Sequence, residues 1–139
     1  MKVKNFIITF VSAIALLLST STISLAKVVG DKIVLGAAVS LTGKYSSNGV
    51  HTQNGYNLAV ERINSMGGVK VDGKSYKFEI IYYDDESNSG RAAQLAERLI
   101  KQDGVQYMLG PYSSGLTKAM APVTEKYQVP MVEANGASR

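Results

Sequence analysis

The stretch "GGVKVDGKSYKFEI", residues 67–80, contains two conflicting signals. Its letters from Gly68 to Ser75 match the phosphate-binding pattern G-x-x-x-x-G-K-[S/T]. The same letters include Asp72-Gly73, a pair typical of a two-residue hairpin turn, between short runs that suit β-strands. The choice between the two interpretations depends on the elements before and after this stretch.

The flanking elements favour the hairpin. Apolar residues recur at helical spacing over 52–66, and the glycine pair that follows ends the helix. The run "YKFEIIYY" (76–83), rich in aromatic and β-branched residues, predicts a strand. A phosphate-binding loop has the opposite order, strand and then helix, because backbone N–H groups must face the phosphate. We therefore interpret 68–75 as a small β-ribbon exposed to solvent, and we expect no nucleotide binding there.

Three further strands are predicted outward from this ribbon. The segment "KIVLGAAVS" (32–40) is mostly apolar without alternation, as in a strand buried on both faces. A polar loop (41–49) follows it. The runs "VQYML" (105–109) and "VPMVE" (129–133) are the third and fourth strands in chain order.

Two more helices separate the later strands. Ser89 is the expected N-cap of a helix that runs to Gln102, with an apolar stripe of Ala92, Ala96, Leu99 and Ile100. A helix over 116–127 contains Pro122, which predicts a kink or a break. The order β-α-β-α-β-α-β with short connections predicts an α/β fold, a doubly wound parallel sheet with helices on both faces.

Residues 1–26 have the three parts of a secretory leader. Lys2 and Lys4 give a basic start, an apolar run extends from Phe6 to Leu18, and Ala26 ends a small-residue cleavage site. The alternative is a permanent membrane anchor, but the 13-residue run is shorter than the roughly 20 residues that span a bilayer. We expect export to the periplasm with cleavage after Ala26, which leaves 27–139 as the mature part.

Composition excludes several classes of site. The 139 residues include no cysteine, so disulfides, thiolate metal sites and a lipid-bearing cysteine are excluded. The net charge of +4 becomes +2 when Lys2 and Lys4 are removed with the leader (4 − 2 = 2), and the other basic residues are interleaved with acids. This pattern does not suit nucleic acid. The mature length allows at most one small domain.

Four loops follow the predicted strands: 41–49, 84–90, 110–115 and 134–139. Ligands of open parallel sheets bind outside the carboxyl ends of the strands, where these loops meet. Ser113 and Ser114 lie at or just before a predicted helix N-terminus, where hydroxyls, unpaired N–H groups and the helix dipole favour an anion. The alternative is that these serines only cap the helix.

The sequence does not support catalysis, so we expect neither an enzyme nor a metal or cofactor site. "GPYSSG" (110–115) lacks a glycine two residues before either serine, as a serine-hydrolase elbow requires. His51 is the single histidine and has no partner for a metal site. For Asp84 and Asp85 we expect structural roles, one capping the neighbouring turn and the other ordering the loop.

An ordered set of segments resembles a known family. "GAAVSLTGKYSSNG", "AVERINSMGGV", "YYDDESNSGRAAQLAERLI", "YMLGPYSSGLTKAMAPV" and "VPMVEANGAS" follow one another as in the first lobe of the branched-chain amino-acid-binding proteins. These are exported solute receptors of ABC importers. The resemblance covers 33–139 without a large gap. It implies a type I periplasmic-binding-protein fold that closes two lobes on a small amino acid or related carboxylate or amide and delivers it to permease subunits.

The resemblance also implies a ligand site. Ser114 matches the serine that binds the ligand carboxylate, while Asn135 and Ala137 match a carbonyl and a threonine that hold the α-ammonium and carboxylate. Asn48 stands where leucine binders usually have an aromatic residue, and Ser87 and Ser113 stand where some relatives form a disulfide. The implied ligand-binding set is Ser47, Asn48, Tyr112, Ser113, Ser114, Asn135, Gly136, Ala137 and Ser138.

Family members have a second lobe that completes the cleft. We therefore expect 27–139 to be the N-terminal part of a first lobe, with the second lobe absent from this chain. A solute-binding protein for an importer is the leading hypothesis for function. The alternative is the ligand-sensing ectodomain of a signalling receptor, which uses the same lobe design.

Overall fold

A computed structural model describes residues 28–137. These residues fold into one mixed sheet with three helices. The expected leader (1–26) and Ser138 lie outside the described residues. The strands are β1 (Val28–Val29), β2 (Lys32–Val39), β3 (Val69–Val71), β4 (Lys74–Asp84), β5 (Met108–Leu109) and β6 (Met131–Val132). The helices are α1 (Ser46–Ser65), α2 (Ser89–Lys101) and α3 (Ser114–Lys126).

The sheet has the order β3-β4-β2-β5-β6. β2 pairs in parallel with β4 and with β5, and β5 pairs in parallel with β6. Two antiparallel pairs complete it, β1 with β2 and β3 with β4. The predicted doubly wound α/β fold is confirmed, and the β1–β2 hairpin is an addition that the sequence did not indicate.

Helices α2 and α3 cover one face of the sheet and form the buried core with it. This core consists mainly of Val34, Ala38, Ala92, Leu95, Ala96, Leu99, Val105, Met108, Leu116 and Met120. Gly36 permits the close approach, because a Cβ there would lie 2.8 Å from both Met108 Sδ and a Val105 methyl carbon. Burial of these apolar side chains is the main contribution to stability.

The other face is only partly covered, by α1. An open apolar groove of about 1050 Å³ lies between α1 and the sheet. Its lining includes Ile33, Leu35, Val60, Ile63, Phe78, Leu109 and Val132. Sheets of mainly parallel strands usually have both faces covered.

None of the helices within 28–137 is long and apolar enough to cross a membrane.

The hairpin interpretation of 68–75 is confirmed. Val69 pairs with Tyr76 and Val71 with Lys74 in antiparallel register. Asp72 and Gly73 both have positive φ, 48° and 79°, as a type I′ turn requires. The ribbon lies between the end of α1 and the body of β4, so it does not open a helix as a phosphate-binding loop does.

Three predicted element boundaries are wrong. α1 begins at Ser46, six residues before the predicted start, so Ser47 and Asn48 lie in its first turn and not in a loop. The N-cap of α2 is Asn88, whose side chain accepts a hydrogen bond from the Arg91 N–H, and not Ser89. α3 begins at Ser114, two residues before the predicted start, and continues through Pro122, so of the predicted kink or break the helix shows no break.

Candidate ligand-binding site

The loops after β2, β4, β5 and β6 meet at one edge of the sheet, because these four strands run in parallel. This is the edge at which ligands bind in open α/β sheets. The predicted site residues that the structure describes lie in these loops or in the helix turns that follow them. Ser138 lies outside the described residues.

Two adjacent carboxylates hold the loops after β2 and β4 together. Asp85 is fully buried, and its Oδ1 accepts hydrogen bonds from the Ser40 hydroxyl (2.6 Å) and the Ser87 N–H (2.8 Å). Asp84 Oδ1 accepts from the N–H groups of Leu41 and Glu86, both at 2.9 Å. The expectation that these acids order the turn and the loop is confirmed.

The two carboxylates differ in pKa. Burial raises the pKa of Asp85, against the opposing hydrogen bond from Ser40. Burial also opposes ionisation of Asp84, but hydrogen bonds from Thr42 and from backbone N–H groups outweigh it and lower the pKa of that carboxyl. Asp84 is therefore the more acidic of the two, and its hydrogen bonds anchor the loop after β2.

Ser113 has an unusual backbone and an unpaired hydroxyl. It occupies the N-cap position of α3 with φ 86° and ψ 140°, and its side chain makes no capping hydrogen bond. Its Oγ is buried and has no partner among the described residues. The alternative that Ser113 caps the helix is therefore wrong. Strained non-glycine residues concentrate at ligand sites, where the surrounding structure holds them in place.

Replacing Ser113 with glycine is expected to stabilise the protein by about 1 kcal/mol or more. The change relieves backbone strain worth about 1–3 kcal/mol and removes a buried unpaired hydroxyl that costs about 1–3 kcal/mol. The added flexibility of the unfolded chain offsets roughly 0.5–1 kcal/mol of this gain. Urea denaturation of both proteins gives the difference. A glycine variant less stable than the parent would show that the hydroxyl has a partner and that the backbone is unstrained.

Ser114 is the first residue of α3, at the end where the N–H groups of the first helical turn have no partner within the helix. These N–H groups point away from the helix body, and the helix dipole adds partial positive charge. An anion at this position gains both interactions. The assignment of Ser114 to a carboxylate stays a prediction.

An aromatic pair lies next to this helix terminus. The rings of Tyr45 and Tyr112 pack edge to face with their centroids 5.7 Å apart, joining the loops after β2 and β5. The Lys44 ammonium lies 4.7 Å from the centre of the Tyr45 ring. Tyr112 belongs to the predicted set, whereas Tyr45 was missed although an aromatic residue in a Gly- and Ser-rich loop is a usable signal.

Ser47 and Asn48 are exposed in the first turn of α1. The Asn48 carbonyl accepts a hydrogen bond from the Thr52 hydroxyl at 3.0 Å. Gly49, the next residue, packs against the Ser40 carbonyl so closely that a Cβ would overlap it. The turn is thus fixed at the edge of the sheet, while its two polar side chains face outward.

The loop after β6 is organised by Glu133, which the sequence did not indicate. Its Oε1 accepts hydrogen bonds from the N–H groups of Asn135 (2.5 Å) and Gly136 (2.8 Å). Its Oε2 lies 2.7 Å from the Thr117 hydroxyl on α3. Two N–H groups of the predicted site are therefore already bonded within the protein, whereas Ala137 is exposed.

Metal ligation finds no support in the described part of the chain. Between residues 28 and 137, acidic and histidine side chains form no group of three or more that could hold an ion. The chemistry available at this edge is hydrogen bonding, an uncapped helix terminus, aromatic contact and the charge of Glu133.

Comparison with known proteins gives one family match and many relatives. The family model described as periplasmic binding protein matches residues 32–139. The leucine-specific-binding protein of Salmonella typhimurium is 28% identical over 102 residues, which are 73% of this chain and 26% of that protein. The chain thus spans about a quarter of the length of this curated relative.

Two solved structures are similar. The branched-chain amino-acid transporter substrate-binding protein LivJ of Streptococcus pneumoniae, in complex with isoleucine, has a TM-score of 0.70 at 31% identity. The match covers 77% of this chain and 30% of that one. A solute-binding protein of an ABC transporter from Rhodopseudomonas palustris, in complex with 3,4-dihydroxybenzoic acid, has a TM-score of 0.64 at 29% identity over 76% of this chain and 28% of that one.

Proposed function

Because the chain belongs to the periplasmic binding protein family, we propose that it is part of the exported substrate-binding component of an ABC importer. The component captures a small amino acid, or a related carboxylate or amide, and delivers it to membrane permease subunits. The two similar solved structures are binding proteins of transporters, which favours this function over the sensing ectodomain. The family is one of solute-binding proteins, which supports a role without catalysis.

The observation that carries the proposal is the N-terminus of α3 at the ligand-binding edge of the sheet. Ser113 is strained there and leaves its buried hydroxyl unpaired, and no side-chain cap occupies the helix terminus. A solute carboxylate at this terminus would carry the charge that the helix dipole favours. The relatives' bound isoleucine and dihydroxybenzoic acid both contain a carboxyl group, which supports the same class of solute here.

The site proposed from these residues faces a second lobe supplied by protein outside 1–139. The chain's short coverage of its relatives supports this division. We call the product that includes both lobes the complete protein, in which the solute is enclosed between them.

A solute screen tests the function. Thermal melts of the complete protein are recorded with amino acids, aromatic carboxylates and small amides, and calorimetric titration follows each shift. Ligand at 100 times its Kd should stabilise the folded protein by about 2.7 kcal/mol. One class of small carboxylate or amide should bind with one-to-one stoichiometry. Binding only to nucleotides, or to none of these solutes, would contradict the proposed function.

Export is expected to proceed through the leader, with cleavage after Ala26. This expectation is based on the basic start, the short apolar run and the small residues before Lys27. N-terminal sequencing of protein recovered from the periplasm should begin at Lys27. A membrane-embedded product that retains Met1 would contradict this expectation and support the anchor alternative.

A further inference from the structure

Asparagine is chemically labile when glycine follows it, and the chain contains three such pairs: Asn48-Gly49, Asn54-Gly55 and Asn135-Gly136. In the reaction the glycine nitrogen attacks the carbon of the asparagine side-chain amide. Glycine favours this attack because it has no side chain and a freely rotating backbone. The structure separates the three pairs by how firmly their backbones are held.

The first two pairs lie within α1. The Gly49 N–H donates to the Tyr45 carbonyl at 2.8 Å. A helical backbone also fixes ψ of each asparagine, and ring closure needs a different ψ that turns the glycine nitrogen toward the asparagine side chain. Loss of the amide at these positions therefore requires the helix to open locally first.

Asn135-Gly136 lies in the loop after β6, outside any helix or strand. The acceptor for both of its backbone N–H groups is a side chain, Glu133 Oε1, at 2.5 Å from Asn135 N and 2.8 Å from Gly136 N. Both residues are half-buried, and exposed Ala134 and Ala137 flank them, so water reaches the loop. No element fixes ψ of Asn135 as α1 does for the other two asparagines.

Glu133 provides a proton acceptor at the reacting nitrogen. Its Oε1 lies 2.8 Å from Gly136 N, within the range at which a side chain acts as a general base. Its Oε2 accepts a hydrogen bond from the Thr117 hydroxyl at 2.7 Å, which fixes the carboxylate in place. The base is thus held beside the N–H whose proton must leave before the nitrogen attacks.

Tyr56 restrains the Asn135 amide. Its hydroxyl donates to the Gly110 carbonyl at 2.8 Å and also hydrogen-bonds the Asn135 side chain. Burial raises the pKa of Tyr56 to about 12, so the phenol keeps its proton at neutral pH. That proton is used on Gly110, so toward the amide the phenol oxygen is the acceptor. The amide must leave this partner before the Gly136 nitrogen reaches its carbon.

We propose that Asn135-Gly136 is a self-modification site, at which the Asn135 amide is lost as ammonia with Glu133 as the base. A bond forms between Gly136 N and Asn135 Cγ, and the Cγ–Nδ2 bond breaks. The Gly136 proton passes through the Glu133 carboxylate to the leaving nitrogen, which departs as ammonia and leaves a cyclic imide. Water then opens the imide at either carbonyl to give aspartate or isoaspartate, without oxidation or reduction.

The product adds a negative charge at the ligand-binding edge. Through Glu133 and Thr117 this loop contacts α3, whose N-terminus is the proposed carboxylate site. The new carboxylate repels a solute carboxylate there, so modified protein should bind such a solute roughly tenfold more weakly or worse. This effect on binding rests on the proposed function, whereas the modification itself does not.

The test incubates the complete protein at neutral pH and physiological temperature and follows its peptides by mass spectrometry. The peptide with Asn135 should change from amide to acid and become a substrate for isoaspartate methyltransferase, while the peptides with the two α1 pairs stay unchanged. Glu133→Gln should slow the change roughly tenfold or more. Tyr56→Phe should accelerate it roughly two- to tenfold, as expected for loss of one neutral hydrogen bond. Asn135→Gln should abolish it, because the larger ring closes slowly.

The α1 pairs are internal controls for the fold of each variant. Equal loss of amide at Asn48, Asn54 and Asn135 in the parent would show that the dipeptide alone sets the rate and would overturn the proposal. A rate that is unchanged or faster in Glu133→Gln would make the carboxylate a protecting partner and overturn it too.

The effect on binding has a separate readout. Ion exchange separates modified from unmodified protein, and each fraction is titrated with isoleucine and with 3,4-dihydroxybenzoate. Weaker binding by the modified fraction supports the effect, and equal affinity overturns it. Binding of neither probe by the unmodified fraction would count against the proposed function, while the mass change at Asn135 would still establish the modification.

Discussion

Replacing Ser114 with alanine in the complete protein is expected to weaken binding of a carboxylate solute roughly 10- to 150-fold. A hydrogen bond to a charged group contributes about 1.5–3 kcal/mol, which corresponds to that range of Kd. The structure gives the N-cap position of α3 to Ser113, so Ser114→Ala removes no N-cap residue, and we expect it to affect affinity more than stability. Calorimetric titration and a thermal melt of the same preparation measure both quantities.

Ser89 provides a matched control for this substitution. It is the first residue of α2, as Ser114 is of α3, but Asn88 caps that helix and Ser89 is exposed. Ser89→Ala should leave the Kd unchanged. If Ser114→Ala also leaves the Kd unchanged while lowering the melting temperature by the equivalent of about 0.5–2 kcal/mol, the serine only stabilises the helix terminus.

Gly49→Ala is expected to cause the largest loss of stability. A Cβ at this position would overlap the Ser40 carbonyl oxygen and lie 2.6 Å from the carbonyl carbon. Both are backbone atoms of the strand end, so the helix must shift away from the sheet. Overpacking of this kind costs about 1–3 kcal/mol and sometimes more, and we expect the upper end because backbone cannot yield as a side chain does.

Gly55→Ala on the same helix is the control, and we expect it to raise the stability of the protein, whereas Gly49→Ala lowers it. A Cβ at Gly55 would meet no atom within 4 Å. Alanine should therefore stabilise α1 by about 0.5–1 kcal/mol, as glycine-to-alanine changes do in helix interiors. Urea denaturation of both variants gives the comparison. If the two variants proved equally stable, the contact between α1 and the end of β2 would be looser than described.

The order of elements could be predicted from the sequence because each strand and helix has its own local pattern. The Asp72-Gly73 turn is an example, since its positive φ values follow from the two residue types. The start of α1 could not be predicted in this way. Its first turn is rich in Ser, Asn and Gly, which favour loops, and packing of Gly49 against Ser40 overrides that preference.

Pro122 shows the same effect of tertiary packing. Proline within a helix removes a hydrogen bond and favours a break. In α3, buried side chains lie on both sides of it, Leu116 and Met120 before and Thr124 after. Their burial against the core holds both halves in one helix, a contribution that the local sequence does not reveal.

The location of the candidate site could be predicted from the parallel order of the strands. Two of its central features could not be predicted from the sequence. The strain at Ser113 is a property of backbone angles, and serine itself gives no sign of it. Glu133 depends on the empty space at Gly110, which comes next to it only because β5 pairs with β6. A charged residue directly after a short apolar strand was the one available signal.

The central claim is that a solute carboxylate binds at the N-terminus of α3. A crystal structure of the complete protein with a solute from the screen tests it most directly. We predict a carboxylate oxygen within about 2.7–3.2 Å of Ser114 Oγ or the Gly115 N–H. The body of the solute should lie against the Tyr45–Tyr112 pair. A solute bound between the lobes with its carboxylate away from Ser113–Gly115, or bound elsewhere on the protein, would contradict the claim.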